Sequence, residues 1–305
     1  MSIIELEARL LQASQQPLLA YSDIEIFRQK MATAFAANAS ITSNLQHSAF
    51  LLGAQSATPG MAFLSGYQSA LRCLDTQCPT DQFAAFCVSE KGIKKPWDME
   101  THLQLSASGW LLNGRKGFVM LLPDKIDRLY VVAKGDNDSL NCVRLAAAAK
   151  GVSVAESLNA PFIQDIPHAG IVFDEVMIAD DDLLTIDAHQ QANKPFRYWE
   201  DIHVAVAMSA WMLRHLTEDS AFLVNKELML TLICELMACF EQQSHYYSLA
   251  GLDALDECHQ LLDKLSENLP DEALSIWKKD RLLLQMGLKI RHQIRLKLTQ
   301  NITAN

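Results

Sequence analysis

Apolar residues recur at helical spacing through the first part of the chain. Leu6, Leu10 and Leu11 mark one amphipathic stretch, and Ile24, Phe27, Met31 and Phe35 mark another. The pattern predicts helices over residues 1–82. From residue 83 the character changes. FAAFCVS, LQLSA, WLLNG, GFVML, RLYVVAK, NCVRLAA, GVSV and AGIVFDEVMI are short apolar runs separated by turn signals, and they read as strands. SASG and LNGRKG read as hairpin turns, and KGDND reads as a loop between two strands. Strands at this spacing predict a small antiparallel barrel or a sandwich. Helical periodicity returns near residue 195. Trp199, Ile202, Val206, Met208, Met212 and Leu216 share a broad apolar face. Leu228, Leu230, Leu232, Ile233, Leu236 and Phe240 give a helix apolar on most sides, which predicts burial. Leu252, Leu255, Leu261, Leu262 and Leu265 give a third helix, which ENLPDE breaks. One last helix is expected from Pro270 to Leu298. Its stripe of Leu283, Met286, Ile290, Ile294 and Leu298 is expected to pack on the bundle. No repeat recurs along the chain. The division is 1–82 helical, 83–190 β and 191–305 helical, an α+β chain.

Composition narrows the picture. Residues 31–71 contain no Asp, Glu, Lys or Arg, yet Ser, Thr, Asn and Gln are scattered through them. This suits buried Ala-rich helices or a surface that touches a ligand or partner, and not a membrane span. The longest strongly apolar stretch, Ile202 to Leu213, is too short to cross a bilayer. Seven cysteines without a CxxC pair, and a start carrying Glu5 and Glu7, predict a reduced, cytoplasmic protein. Cys234, Cys239 and His245 could gather a metal, but small buried helix residues are the simpler account, so no metal is expected. The net charge of −10 weighs against nucleic acid as a partner. It is uneven, with +6 over residues 278–297 and −16 over the rest. The basic strip reads as a solvated face near a helix C-terminus, or as a contact for phosphates, an acidic partner or a membrane surface.

The segments FCVSEKG, GWLLNGRKGFV, RLYVVAK, VRL, GVSV and IPHAGIVFDEVMI, in this order and spacing, resemble the middle domain of acyl-CoA dehydrogenases. The NGRK segment and the FDEV exit carry most of the resemblance. It implies an N-terminal helical domain, a central small antiparallel β-barrel and a C-terminal helical bundle, here shortened. It implies FAD, an acyl-CoA or related thioester as substrate, and a homo-oligomer, dimer or tetramer. In that family a carboxylate takes the α-proton while the β-hydrogen passes as hydride to the flavin.

The resemblance places flavin contacts at Phe86, Val88, Ser89, Phe118 and Met120. Ser89 stands for the family threonine, and Phe118, Val119 and Met120 stand where a tryptophan, an aliphatic residue and a hydroxyl residue are usual. Lys94 and Lys95 could meet CoA phosphates. Glu90 matches the motif acid, but Lys91 replaces proline, and IKKPWD stands where G-S-D is expected. The family's R-x-x-F-G and Q-x-x-G-G-x-G segments are absent, and between Gly170 and Gly251 there is no glycine. One branch of the family carries its base near the end. Here Gln285, Met286, Gly287 and Leu288 stand in that place, and no acid follows Asp280. A second branch places the base at the start of the first bundle helix, which makes Glu200 the candidate base. Asp201 replaces the arginine that usually follows it. Two acids in a helix first turn also suit the helix dipole. Three functions stay open: an FAD-dependent oxidoreductase on the CH–CH bond of an acyl thioester, a flavin-free family member acting as a binding or scaffolding protein, and a relative of flavin-dependent monooxygenases.

Overall fold

The computed structural model describes residues 2–37, 44–107, 109–123, 125–136, 139–216, 220–243 and 245–303. The chain divides into two compact units. One is helical and comprises residues 1–73, 161–163 and 197–305. The other holds the strands and comprises residues 74–160 and 164–196.

The helical unit contains α1 (Ile3–Ser14), α2 (Ile24–Ala37), α3 (Asn44–Ala54) and most of α4 (Pro59–Leu74). It then takes most of α5 (Lys194–His215), α6 (Ser220–Gln242) and α7 (Leu249–Leu265). The chain ends in α8 (Asp271–Asp280), α9 (Leu282–Met286) and α10 (Leu288–Thr303). Ser2 starts α1 with a capping box to Glu5, which satisfies backbone N–H groups that the first turn leaves unpaired.

The charge-free stretch finds its explanation here. α4 is buried along almost its whole length. A Cβ at Gly53 in α3 would stand 2.3 Å from the Ala207 carbonyl oxygen of α5, and one at Gly66 in α4 would stand 2.6 Å from the Val204 Cα. The α5 backbone lies directly against both glycines, so α3 and α4 form its bed. Trp211 of α5 stacks on Trp277 of α8, with ring centroids 5.7 Å apart, and both are fully buried. α5 is the centre of this unit, and it carries Glu200.

The C-terminal helices differ from expectation. The single helix expected from Pro270 is three pieces, α8 to α10. Met286 is 59% exposed and Ile290 46%, whereas Arg291 is only 3% exposed. The inward face of α10 carries Arg291 alongside the half-buried Ile294 and Leu298, while Met286 and Ile290 face outward. α6 is also one-sided, with Leu228 and Val224 at the surface. Among the described residues, no helix is long and apolar enough to cross a membrane.

The other unit is an eight-stranded sheet: β1 (Ala84–Cys87), β2 (His102–Ser106), β3 (Gly109–Met120), β4 (Arg128–Lys134), β5 (Leu140–Ala146), β6 (Val152–Leu158), β7 (His168–Ile178) and β8 (Leu183–Thr185). Its order is β6-β7-β3-β2-β4-β5-β8, with β1 paired to β4. The sheet is open rather than a closed barrel. It is mixed rather than antiparallel, because β1 and β2 each pair with β4 in parallel. LNGRKG is not a hairpin turn. β3 runs straight through it, with bulges between Leu112 and Gly114 and between Lys116 and Val119. The first bulge needs its glycine, since Gly114 has φ +136 and a Cβ there would lie 2.5 Å from the Thr101 Cα.

Gly53→Ala tests the bed of α5. The methyl meets backbone, so α3 must move, and overpacking of this kind costs about 1–3 kcal/mol. Thermal denaturation should show a fall of several degrees; an unchanged Tm would place α3 further from α5 than this structure does.

Candidate functional site

Glu200 and Asp201 lie in the second turn of α5, not in a first turn, so the helix dipole does not account for them. They meet a cluster of cationic and polar groups drawn from three other segments. Arg197, on the same helix, puts Nη1 3.4 Å from Glu200 Oε2 and Nη2 3.1 Å from Asp201 Oδ1. Arg291 of α10 donates through Nη1 to Asp201 Oδ2 at 3.0 Å. The Tyr247 hydroxyl, just before α7, donates to the same oxygen at 2.5 Å. Arg291 Nη2 donates to the Leu284 carbonyl at 2.8 Å and lies 3.5 Å from His259 Nδ1 of α7.

Gly287 completes the arrangement. A Cβ there would stand 2.3 Å from Arg197 Nη2 and 2.4 Å from Arg291 Nη1. Both guanidinium groups lie against the α9–α10 junction, where a Cβ would force them to shift. The segment expected to lack the family's late base, Gln285 to Leu288, is thus where two arginines pack.

The electrostatics separate the two carboxylates. The Glu200 side chain is 19% exposed and has one long ionic contact. Burial pushes its pKa up, and Asp201 adds to this against the pull of Arg197, leaving it at about 7. Burial and the adjacent Asp201 carboxylate push the Tyr247 phenol well up, so it remains a donor. Burial and the nearby Arg291 lower His259 to about 4, so it is neutral at pH 7. The arrangement offers one carboxylate able to gain or lose a proton near neutral pH, beside a second carboxylate whose two oxygens are already engaged.

In the sheet unit, the residues expected at the flavin are brought together in part. Ser89 and Phe118 are neighbours, because the Gly117 N–H donates to the Ser89 carbonyl at 2.9 Å. Phe118 sits in the second β3 bulge with φ +53, and its ring is 56% exposed. Ser89 is exposed. Val88 is half-buried, and its carbonyl accepts from Lys116 Nζ at 3.3 Å. Met120 is buried. Phe86 packs on Phe196, with ring centroids 4.6 Å apart. Lys94 and Lys95 are both exposed, in the loop before a short helical turn at Pro96–Asp98.

The motif acid has a structural task. Lys116 is fully buried and its Nζ lies 2.5 Å from Glu90 Oε1. The Glu90 oxygens also accept from the Glu100 and Thr101 N–H groups at 2.7 and 3.2 Å. Burial opposes ionisation of Glu90, but these bonds hold its carboxyl below the usual range. Glu90 and Lys116 thereby pin the Ser89 loop to the Phe118 bulge. His168 begins β7 with Nδ1 2.8 Å from the Ile166 carbonyl, a structural position.

The ring end of FAD fits this sheet unit, with an exposed hydroxyl at Ser89 and an exposed aromatic at Phe118 on a pinned scaffold. The glycines of the helical bundle offer the diphosphate end no open cradle. The two after Gly170 are both filled by the protein's own groups, Gly287 by the guanidinium groups and Gly251 by the Ser248 hydroxyl that caps α7.

Gly287→Ala should displace both guanidinium groups from buried Asp201. Weakening a buried charged pair costs about 3–5 kcal/mol when a partner is lost outright, so a loss of a few kcal/mol is expected in denaturant unfolding. An unchanged midpoint would remove this close approach. Glu200 gives a pH signature. Its folded pKa of about 7 lies above the ordinary glutamate value of 4.5, so its stabilising contribution is full below 4.5 and is lost as pH rises through about 7. Glu200→Gln escapes that loss. The Tm difference, variant minus parent, should rise from pH 5 to pH 8; a flat difference would mean that Glu200 does not titrate in this range.

No family model matches the sequence, and no curated protein sequence matches it. Solved structures do match. Butyryl-CoA dehydrogenase from Megasphaera elsdenii aligns with a TM-score of 0.72 at 12% identity, over 100% of this chain and 99% of that one. Glutaryl-CoA dehydrogenase from Mycobacterium smegmatis aligns with 0.70 at 12% identity, over 100% and 96%. The apo form of PigA aligns with 0.70 at 15% identity, over 96% of each chain, and its FAD complex with 0.56 at 15% identity, over 95% and 86%. The chain has the acyl-CoA dehydrogenase fold.

Proposed function

We propose that the protein is a flavin-dependent oxidoreductase acting on the CH–CH bond of an acyl thioester, with Glu200 as the base. The observation that carries this reading is the state of Glu200. A carboxylate with little exposure and a pKa near 7 is poised to accept a proton from a weak carbon acid at neutral pH. Glu200 would take the substrate's α-proton on a carboxylate oxygen, and Arg197 would stabilise the anionic form through its Nη1 contact. Ser89 and Phe118 would hold the ring end of FAD, with Phe86, Val88 and Met120 shaping the strands beneath them. FAD, when bound, supplies the acceptor for the β-hydride. Lys94 and Lys95, exposed and cationic, would meet the phosphates of a CoA thioester. A dimer or tetramer is part of this reading.

A second reading has its own observation. The bundle glycines are filled by guanidinium and hydroxyl groups, which favours a flavin-free protein that keeps the fold for binding. Purification under mild conditions decides between them. A yellow preparation with stoichiometric FAD would sink the flavin-free reading. Colourless protein whose Tm does not rise in excess FAD would sink the oxidoreductase, because a ligand of the native state must stabilise it. With flavin bound, Glu200→Gln should lower acyl-thioester turnover by about 10²–10⁴-fold while FAD content stays constant. Unchanged turnover would remove Glu200 as base.

A further inference from the structure

Glu200 and Asp201 compete for one guanidinium. Arg197 reaches both, but its contact with Asp201 is the shorter, 3.1 Å against 3.4 Å. Asp201 takes more besides: Arg291 Nη1 and the Tyr247 hydroxyl, both on Oδ2. Arg291 is not free to turn toward Glu200. Its Nη2 is held by the Leu284 carbonyl, Gly287 leaves its other end no slack, and only 3% of it is exposed. His259 faces Arg291 as a neutral ring and adds no cation. The ionisable groups around the pair, from α5, the segment before α7, α7 and α10, are then Arg197, Tyr247, His259 and Arg291. Every donor among them that reaches a carboxylate engages Asp201, and only Arg197 also reaches Glu200.

We infer that Asp201 is a positioning residue for Glu200: it captures Arg291, Tyr247 and the nearer end of Arg197, and so keeps Glu200 an under-paired carboxylate that can take a proton from a ligand. With Arg197 to itself, Glu200 would be held more firmly in its ionised form and would be a weaker base. The charge of Asp201 acts in the same direction, since a like charge nearby disfavours ionisation of Glu200. The inference deepens the proposed role of Glu200 as base and rests on it. Its test, however, needs neither flavin nor substrate.

The experiment is a titration of the Glu200 carboxyl carbon by NMR in protein labelled with 13C-glutamate, the resonance being assigned by its loss in Glu200→Gln. Asp201→Asn releases Arg197 to Glu200 and removes the like charge. The Glu200 midpoint should fall by about one pH unit or more, a tenfold rise in its dissociation constant. Arg291→Gln does the reverse: Asp201 loses a cation and draws Arg197 closer, so the midpoint should rise. The opposite signs guard against loss of fold in either variant, because a general loosening would move both midpoints toward the ordinary glutamate value. Midpoints that stay at the parent value in both variants, or that rise in Asp201→Asn, would overturn the inference. If the midpoints shift as expected but Glu200→Gln turns over normally, the inference about Asp201 stands and the assignment of Glu200 as base falls.

Discussion

Burying a charge is tolerable only when its partners come with it, and Asp201 is the point where this chain meets that demand. Two guanidinium groups and a phenol converge on its carboxylate. They arrive from α5 itself, from α10 and from the segment before α7, so one side chain ties three parts of the bundle together. The tie has conditions of its own. The guanidinium groups need Gly287 at the α9–α10 junction, and α5 needs Gly53 and Gly66 beneath it. Glu200 sits beside this anchor and receives only its margin.

The sheet unit follows the same logic on a smaller scale. Lys116 is a buried cation, and Glu90 is its partner as well as the acceptor for two backbone N–H groups. The pair gives the Ser89 loop and the Phe118 bulge a fixed relation. Glu90 and Lys116 are not among the flavin contacts that the resemblance implies; Ser89 and Phe118 are. What they present outward is a hydroxyl and an aromatic face.

Much of this was legible in the sequence. The helical and strand segments follow from period and turn chemistry, and the fold from a resemblance in motif order. Glu200 also stood out, by its place at the start of the first bundle helix. The misses have physical causes. NGRK looks like a turn because bulges and hairpins draw on the same residues, and only the pairing of β3 with β7 separates them. The apolar stripe of the last helix is only partly inward: Met286 and Ile290 are exposed, and a buried arginine paired with Asp201 shares the inner side. Tyr247, His259 and Arg291 are far apart in sequence, so no spacing rule could gather them. The spacing of Arg197 to Glu200 and Asp201, three and four residues, was the one local signal available.

The departures from the family pattern are also connected to one another. Asp201 stands where the resemblance expects an arginine, which places two acids side by side on a buried helix face. Left alone, that change would strand a carboxylate at a cost of several kcal/mol, on the order of a small domain's whole stability. It is not left alone: Arg291 turns inward from α10 to meet it, in the stretch where the late base of the other branch is missing, and a glycine there gives it room. Here an acid on α5 is matched by a cation and a glycine some ninety residues along the chain.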